Sequence, residues 1–183
     1  RSDRGYMGVI TLRTALAQSR NIPALKAFQQ VDNQKILQFA QSLGITLEKE
    51  SIESNHLHEA YSIGSFNGSN PLELAGAYAA FANGGYYNEP YTISKIKFRD
   101  TGVVITHDDS ERKQVMSSAT AFMITDVLKT AVNSGLSGVA KVNGVNVAGK
   151  TGTTNYTAEI LYKHHLPSSA GVYDAWVVGY DPE

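Results

Sequence analysis

Apolar residues recur at helical spacing along the first part of the chain, and polar residues mark where each helix starts or stops. Residues 11–17 predict a short helix, which the polar run Ser19-Arg20-Asn21 interrupts. Ile22-Pro23 restarts the helical pattern, because proline suits a first helical turn. Asp32 can cap a further helix that reaches about Leu43. This part of the chain is therefore predicted to be helical.

The same spacing predicts two longer helices downstream. Asn70-Pro71 combines a capping asparagine with a first-turn proline and opens a helix over residues 72–82. Ser118 can cap a second helix over residues 119–132. The apolar residues expected on the inner face of that helix are Phe122, Met123, Val127, Leu128 and Ala131.

Alternating, β-branched runs predict strands in the second half of the chain. Residues 91–98 and 103–106 flank the turn Asp100-Thr101-Gly102 and predict a hairpin. The first half of the stretch 145–154 and residues 174–180 predict two further strands. Residues 45–69 and 154–172 are polar and lack a period, so they are expected to be irregular. The mixture of helices and strands indicates an α/β (α+β) fold.

Composition narrows the functional classes. An apolar fraction of 42% and a charged fraction of 18% over 183 residues indicate one folded domain with a core. The net charge of −1 gives no field that would favour nucleic acid. The absence of cysteine excludes disulfides and thiolate metal sites, and no histidine pair has the spacing of a helical zinc site. We expect neither a metal nor a cofactor.

The stretch 145–154 carries the most distinctive chemistry. Its second half places a cation, hydroxyls and glycines side by side as Lys150-Thr151-Gly152-Thr153. Period-two alternation puts Lys150 and Gly152 on one face, where a missing side chain leaves room for a ligand beside an ammonium.

A phosphate-binding loop is the alternative interpretation of this stretch. Gly144 to Thr151 matches the pattern G-x-x-x-x-G-K-T. Such a loop follows a strand and opens a helix, whereas Val-Asn-Val-Ala between the two glycines is itself strand-like, and the residues after Lys150 are poor helix formers. The context therefore favours a strand, and a nucleotide-binding protein remains the second hypothesis.

Four segments occur in a fixed order: ITLRTALAQSRNIPALK around Ser19, NPLELAGAYAAFANGG over 70–85, VAGKTGTT around Lys150, and DAWVVGY over 174–180. Together they resemble the transpeptidase domain of class A high-molecular-mass penicillin-binding proteins of the Gram-positive type. The resemblance implies an antiparallel sheet flanked by helices. It also implies acyl transfer from D-Ala-D-Ala stem peptides by a serine D,D-transpeptidase during peptidoglycan cross-linking, with β-lactams acylating the same serine.

The resemblance assigns roles to residues of the second motif and to the lysine of the third. Ser19 would relay a proton to the leaving nitrogen, and Asn21 would hold the amide of the donor peptide. Lys150 would supply a cation for the terminal carboxylate or tune the proton network of Ser19. The structural alternatives are that Ser19 and Asn21 cap the helix near Pro23 and that Lys150 is an edge-strand lysine that deters aggregation.

The remaining residues of the third motif would bind the substrate. The hydroxyls of Thr151 and Thr153 would donate to its carboxylate, and the backbone N–H of Thr153 would stabilise the oxyanion. Gly152 would keep the strand open to the nucleophile, and its structural alternative is a bulge glycine.

The first motif of the family, S-x-x-K with the nucleophilic serine, should precede the second. Ser94-Lys95-Ile96-Lys97 and Ser110-Glu111-Arg112-Lys113 match the pattern but follow the second motif, and the former lies in a predicted strand. Residues 1–183 are therefore expected to be a partial transpeptidase domain. The segment with the nucleophilic serine would lie upstream of this chain, and the final strand and helix would lie downstream of it. Alone, the chain is expected to be inactive.

The implied partners are D-Ala-D-Ala stem peptides, β-lactams and the missing N-terminal part of the same protein, with no nucleic acid. Class A relatives place a glycosyltransferase domain before this one and sit at the outer face of the cell membrane, anchored by an N-terminal segment not in this chain. A catalytically silent interaction module of the same fold is the third hypothesis.

Overall fold

A computed structural model describes residues 5–107 and 112–181. The helices are α1 Leu12–Ala17, α2 Asn21–Phe28, α3 Asn33–Ser42, α4 Lys49–Ser54, α5 Pro71–Ala82, α6 Ser118–Ser134 and α7 Ala158–Lys163. The strands are β1 Tyr86–Tyr87, β2 Lys95–Lys97, β3 Val104–Thr106, β4 Lys113–Gln114, β5 Ala148–Asn155 and β6 Val172–Tyr180. Short 3-10 helices cover Glu59–Ile63 and Gly138–Ala140.

The helix starts follow from side-chain caps. Thr11, Asp32 and Asn70 each accept a hydrogen bond from a backbone N–H in the first turn of α1, α3 and α5, which confirms the predicted starts of these helices. The cap of α6 is Ser117, which accepts from the N–H of Thr120, so the predicted cap at Ser118 was wrong by one residue.

The strands pair antiparallel. β1 pairs with β4, β2 with β3, and β5 with β6. The predicted hairpin is confirmed as β2–β3, although it is shorter than its sequence pattern. β5 runs through the whole Lys150 to Asn155 segment, so the lysine motif lies on a strand as predicted. The α/β class with an antiparallel sheet beside helices is thus confirmed.

Two segments expected to be irregular contain helices. α4 lies within 45–69, and α7 lies within 154–172 with Thr157 as its cap. A six-residue helix is too short to show a periodic apolar face and too short to be stable alone. Contacts with the surrounding chain decide its formation, as when buried Ser51 hydrogen-bonds the hydroxyl of Tyr61 at 2.9 Å.

Helix α6 is the support on which α1, α5 and β5 pack. The face it buries consists of Ala121, Thr125, Leu128, Ala131 and Val132. Phe122 and Met123 are 74% and 60% exposed, so the prediction that they lie inward was wrong. Ala121, Thr125 and Ala131 on this face are small, which lets neighbouring elements come close.

A tyrosine pair ties the helices to β6. The hydroxyl of Tyr180 lies 2.8 Å from Thr125 Oγ1, and its ring meets the Tyr78 ring edge-on at 6.5 Å. Burial raises the pKa of both tyrosine hydroxyls, because it disfavours their charged form. Strand β6 is therefore anchored to α5 and α6 through Tyr180.

Within the described part of the chain, no helix has the length and hydropathy that crossing a bilayer requires.

The loop after α6 closes onto the end of α1. The N–H of Leu136 donates to the carbonyl of Ala17 at 2.9 Å. A Cβ on Gly135 would lie 2.7 Å from the carbonyl oxygen of Ala131, and closer still to that of Ala17. Only glycine fits here, because both neighbours are backbone atoms that cannot rotate away.

Gly135→Ala is expected to lower the free energy of unfolding by about 3 kcal/mol, because the added methyl must push α1 away from α6. Urea denaturation measures this loss. Gly138→Ala is the matched control, since the nearest atom to its Cβ is the Val132 oxygen at 3.7 Å. Equal stability of the two variants would contradict the close approach at Gly135.

Candidate active site

Ser19 lies at the end of α1 in a conformation that glycine normally adopts. Its N–H donates to the carbonyl of Leu16 at 3.0 Å, and the N–H of Arg20 donates to that of Ala15 at 2.9 Å. This is the Schellman pattern, in which the position of Ser19 favours glycine. The φ of Ser19 is 50°, in the left-handed region. An L-residue there costs about 1 kcal/mol, so helix termination does not explain the serine.

The hydroxyl of Ser19 meets the ammonium of Lys150. Lys150 Nζ donates to Ser19 Oγ at 3.0 Å and to the carbonyl of Thr151 at 2.7 Å. The two residues are 131 positions apart in sequence. The structure therefore brings together the predicted lysine of the third motif and the predicted serine of the second.

The ammonium lies at the edge of β5 that faces away from β6. The N–H of Thr151 points to this edge, because it donates to Ser137 Oγ at 3.0 Å. Backbone N–H groups of alternate residues point to the same side of a strand, so the N–H of Thr153 points there too. Among the described residues, no strand pairs with this edge. Such an edge can hydrogen-bond an extended peptide, while the ammonium binds an anionic group.

The two glycines of β5 differ in what surrounds them. A Cβ on Gly149 would lie 2.9 Å from the carbonyl oxygen of Val178, so the pairing with β6 requires glycine. A Cβ on Gly152 would meet only Trp176 Cβ, at 3.8 Å, which is ordinary contact. The register shift in the sheet lies between Thr154 and Asn155, so Gly152 is not a bulge glycine. Nothing in the fold itself requires the missing side chain at Gly152.

The capping interpretation of Ser19 and Asn21 was wrong. The cap of α2 is Arg20, which makes no side-chain capping bond, and Asn21 is already the first residue of the helix. The side chain of Asn21 is exposed and enters no hydrogen bond within residues 5–107 and 112–181. Asn21 follows Ser19 by two positions, but among the described residues its side chain makes no hydrogen bond with Ser19 or Lys150.

The phosphate-loop interpretation of Gly144 to Thr151 is not supported. Gly149, Lys150 and Thr151 are paired with β6 as part of a strand, and the next helix begins only at Ala158. The required order of strand, loop and helix is therefore missing. Of the two misplaced S-x-x-K strings, the one beginning at Ser94 runs into β2, and the one beginning at Ser110 lies partly outside the described residues.

Ser137 is the residue of this site that the sequence analysis missed. Its side chain is fully buried, and its hydroxyl accepts the hydrogen bond from the N–H of Thr151. Ser137 lies in the run Ser-Gly-Leu-Ser-Gly, which begins at the last residue of α6 and contains two serines. No periodicity indicates which serine of such a loop is buried.

Comparison with known proteins identifies the family of the chain. Residues 1–183 match the family "Penicillin binding protein transpeptidase domain". Penicillin-binding protein 1A/1B of Bacillus subtilis is 50% identical over 99% of this chain, which covers 19% of that protein. Penicillin-binding protein 1A of Streptococcus pneumoniae is 37% identical over 97% of the chain and 24% of that protein. The chain thus spans about a fifth to a quarter of the length of these relatives.

Solved structures share the fold. The penicillin-binding protein PonA1 of Mycobacterium tuberculosis matches with a TM-score of 0.75 at 20% identity, over 98% of this chain and 47% of that one. Penicillin-binding protein 1A of Haemophilus influenzae matches with a TM-score of 0.66 at 28% identity, over 84% of this chain and 28% of that one. The chain belongs to the penicillin-binding protein transpeptidase domain family, within the class A group of 1A-type proteins.

Proposed function

We propose that this chain carries the second and third motifs of a D,D-transpeptidase that cross-links peptidoglycan stem peptides. The observation that carries the proposal is the 3.0 Å contact between Lys150 Nζ and Ser19 Oγ, beside a strand edge able to receive a peptide. Acyl transfer to a serine requires a cation for the substrate carboxylate, a group that relays a proton, and N–H donors that stabilise the oxyanion.

The proposed reaction uses a serine supplied by a segment outside these 183 residues. Its oxygen attacks the carbonyl of the penultimate D-alanine, and the terminal D-alanine leaves with a proton. An amine of a second stem peptide then attacks the ester, forms the new amide and releases the serine. A β-lactam enters the first step, but its opened ring remains attached, so the ester persists.

Each residue has a distinct task in this proposal. Ser19, held by Lys150, passes the proton to the leaving nitrogen, and Asn21 holds the donor amide. Lys150 and the hydroxyls of Thr151 and Thr153 bind the carboxylate. The N–H of Thr153 stabilises the oxyanion, and one such donor contributes about a hundredfold or more in rate.

The partners follow from the same roles. They are the D-Ala-D-Ala stem peptides, β-lactams, and the N-terminal part of the same protein that contributes the nucleophile. The assembled protein acts at the outer face of the cell membrane, held there by a segment outside this chain.

Labelling with a fluorescent penicillin tests the proposal. The full-length protein is expected to form one covalent adduct per molecule, which a D-Ala-D-Ala peptide slows, and the 183-residue chain alone is expected to form none. A folded full-length protein that takes no label would be a silent module. An adduct on the isolated chain would place the nucleophile within it and contradict the assigned roles.

Gly152→Val separates ligand access from fold stability. The Cβ at this position meets only an ordinary contact, with Trp176 Cβ at 3.8 Å, so stability is expected to change by less than about 0.5 kcal/mol. Acylation is expected to fall by about a hundredfold, because the side chain occupies the face beside Lys150 and displaces the ligand. Stopped-flow acylation and urea denaturation give the two quantities.

Gly149→Ala is the matched comparison for this experiment. Its Cβ would lie 2.9 Å from the Val178 oxygen, so it is expected to lose stability rather than ligand access. If Gly152→Val were acylated at the wild-type rate, the ligand would not approach this face of β5.

A further inference from the structure

Ser137 connects the elements that carry the site, although its own side chain is fully buried. Its N–H donates to the carbonyl of Ala131 at the end of α6, and its own carbonyl accepts from Ala140, each at 3.0 Å. The preceding residue, Leu136, is hydrogen-bonded to Ala17 in the last turn before Ser19. The backbone of Ser137 is therefore fixed relative to both α1 and α6.

The hydroxyl of Ser137 has two neighbours on β5. It accepts from the N–H of Thr151 at 3.0 Å, and its oxygen lies 3.4 Å from Thr151 Oγ1. The side chain is fully buried, and an unused donor in such a place costs free energy. Among the described residues, Thr151 Oγ1 is the acceptor within reach of the Ser137 proton. Either hydroxyl of this pair can be the donor, and donation by Ser137 is the direction that uses its buried proton.

With Ser137 as the donor, the direction of the Thr151 hydroxyl is fixed. An oxygen that already accepts from Ser137 must donate its own proton elsewhere, and a carboxylate accepts hydrogen bonds but donates none when ionised. We propose that Ser137 is a positioning residue, which turns the Thr151 hydroxyl into a committed donor for the carboxylate of the bound peptide or β-lactam. This inference rests on the proposed transpeptidase function.

A matched pair of ligands separates this role from a merely structural one. The full-length protein is acylated with a penicillin that has a free carboxylate and with its methyl ester, and the ratio of the two second-order rate constants is measured. Ser137→Ala is expected to lower this ratio about tenfold, because the Thr151 hydroxyl is no longer held as a donor and its hydrogen bond to the charged group weakens. A merely structural role would slow both ligands equally and leave the ratio unchanged.

Further variants keep the test decisive. Ser137→Cys retains the size of the side chain and a weak donor, so a smaller drop in the ratio is expected. In a Thr151→Val background, Ser137→Ala is expected to lower the ratio no further, because its effect passes through that hydroxyl. Ser134→Ala is the control, since Ser134 lies at the same helix end but bonds only the carbonyl of Thr130.

The outcomes distinguish the two proposals. If the wild-type protein is not acylated by either ligand, the proposed function fails and this inference falls with it. If the wild-type protein prefers the carboxylate and a folded Ser137 variant keeps that preference in full, the inference alone is overturned. A further drop of the ratio in the double variant would also overturn it.

Discussion

Lys150→Ala is expected to slow acylation by a β-lactam by about a hundredfold or more, with little loss of stability. The substitution removes the ammonium that holds Ser19 Oγ at 3.0 Å and that would meet the ligand carboxylate. Its hydrogen bonds lie at an accessible strand edge, where such bonds contribute less than about 1 kcal/mol to folding. Fluorescent-penicillin kinetics and urea denaturation of the full-length protein measure both effects.

Lys150→Arg separates charge from proton transfer. Arginine keeps the positive charge but stays protonated under all ordinary conditions. We expect this variant to retain ligand binding and still lose most of the acylation rate. Lys163→Ala is the control, because Lys163 is an exposed lysine in the last turn of α7. A wild-type rate in Lys150→Ala would remove Lys150 from the reaction.

The sequence predicted those elements whose boundaries depend on local chemistry. Asp32 and Asn70 cap their helices because a short side-chain oxygen can reach the first-turn N–H groups, whatever packs outside. That the Lys150 motif lies on a strand was predictable because its residues are poor helix formers. The predicted position of the strand was wrong in part, because the alternating residues 145–147 precede β5, which begins at Ala148. The meeting of Ser19 and Lys150 was implied by the order of the motifs, and no local pattern indicates a contact across 131 residues.

The remaining features depend on tertiary packing. Hydrophobicity identified Phe122 and Met123 as core residues, whereas the face of α6 that packs against α1, α5 and β5 is the one that carries Leu128 and Val132 beside smaller residues. Ser137 is buried where its hydroxyl bonds the N–H of Thr151. The sequence does not indicate this burial, because a polar residue in a glycine-rich loop belongs to no hydrophobic period. Ser19 could have been noticed, since serine there occupies a position that favours glycine, but only once the end of α1 is known.

Ser19→Gly is expected to make the protein more stable and less active at the same time. Glycine relieves the left-handed strain at a φ of 50°, and the gain is about 0.5–1 kcal/mol in the free energy of unfolding. Loss of the hydroxyl removes the proton relay beside Lys150, so acylation falls by about a hundredfold. Urea denaturation and penicillin kinetics on the same preparation measure the two changes.

Ser19→Ala distinguishes strain from chemistry at this position. Alanine keeps the Cβ that makes the left-handed conformation costly, so this variant is expected to lose activity as Ser19→Gly does, without the gain in stability. Glycine would be more stable than serine at this helix end. A serine there is expected if activity requires the hydroxyl at the cost of some stability. If Ser19→Gly were less stable than wild type, the hydroxyl would serve the fold through Lys150 rather than the reaction.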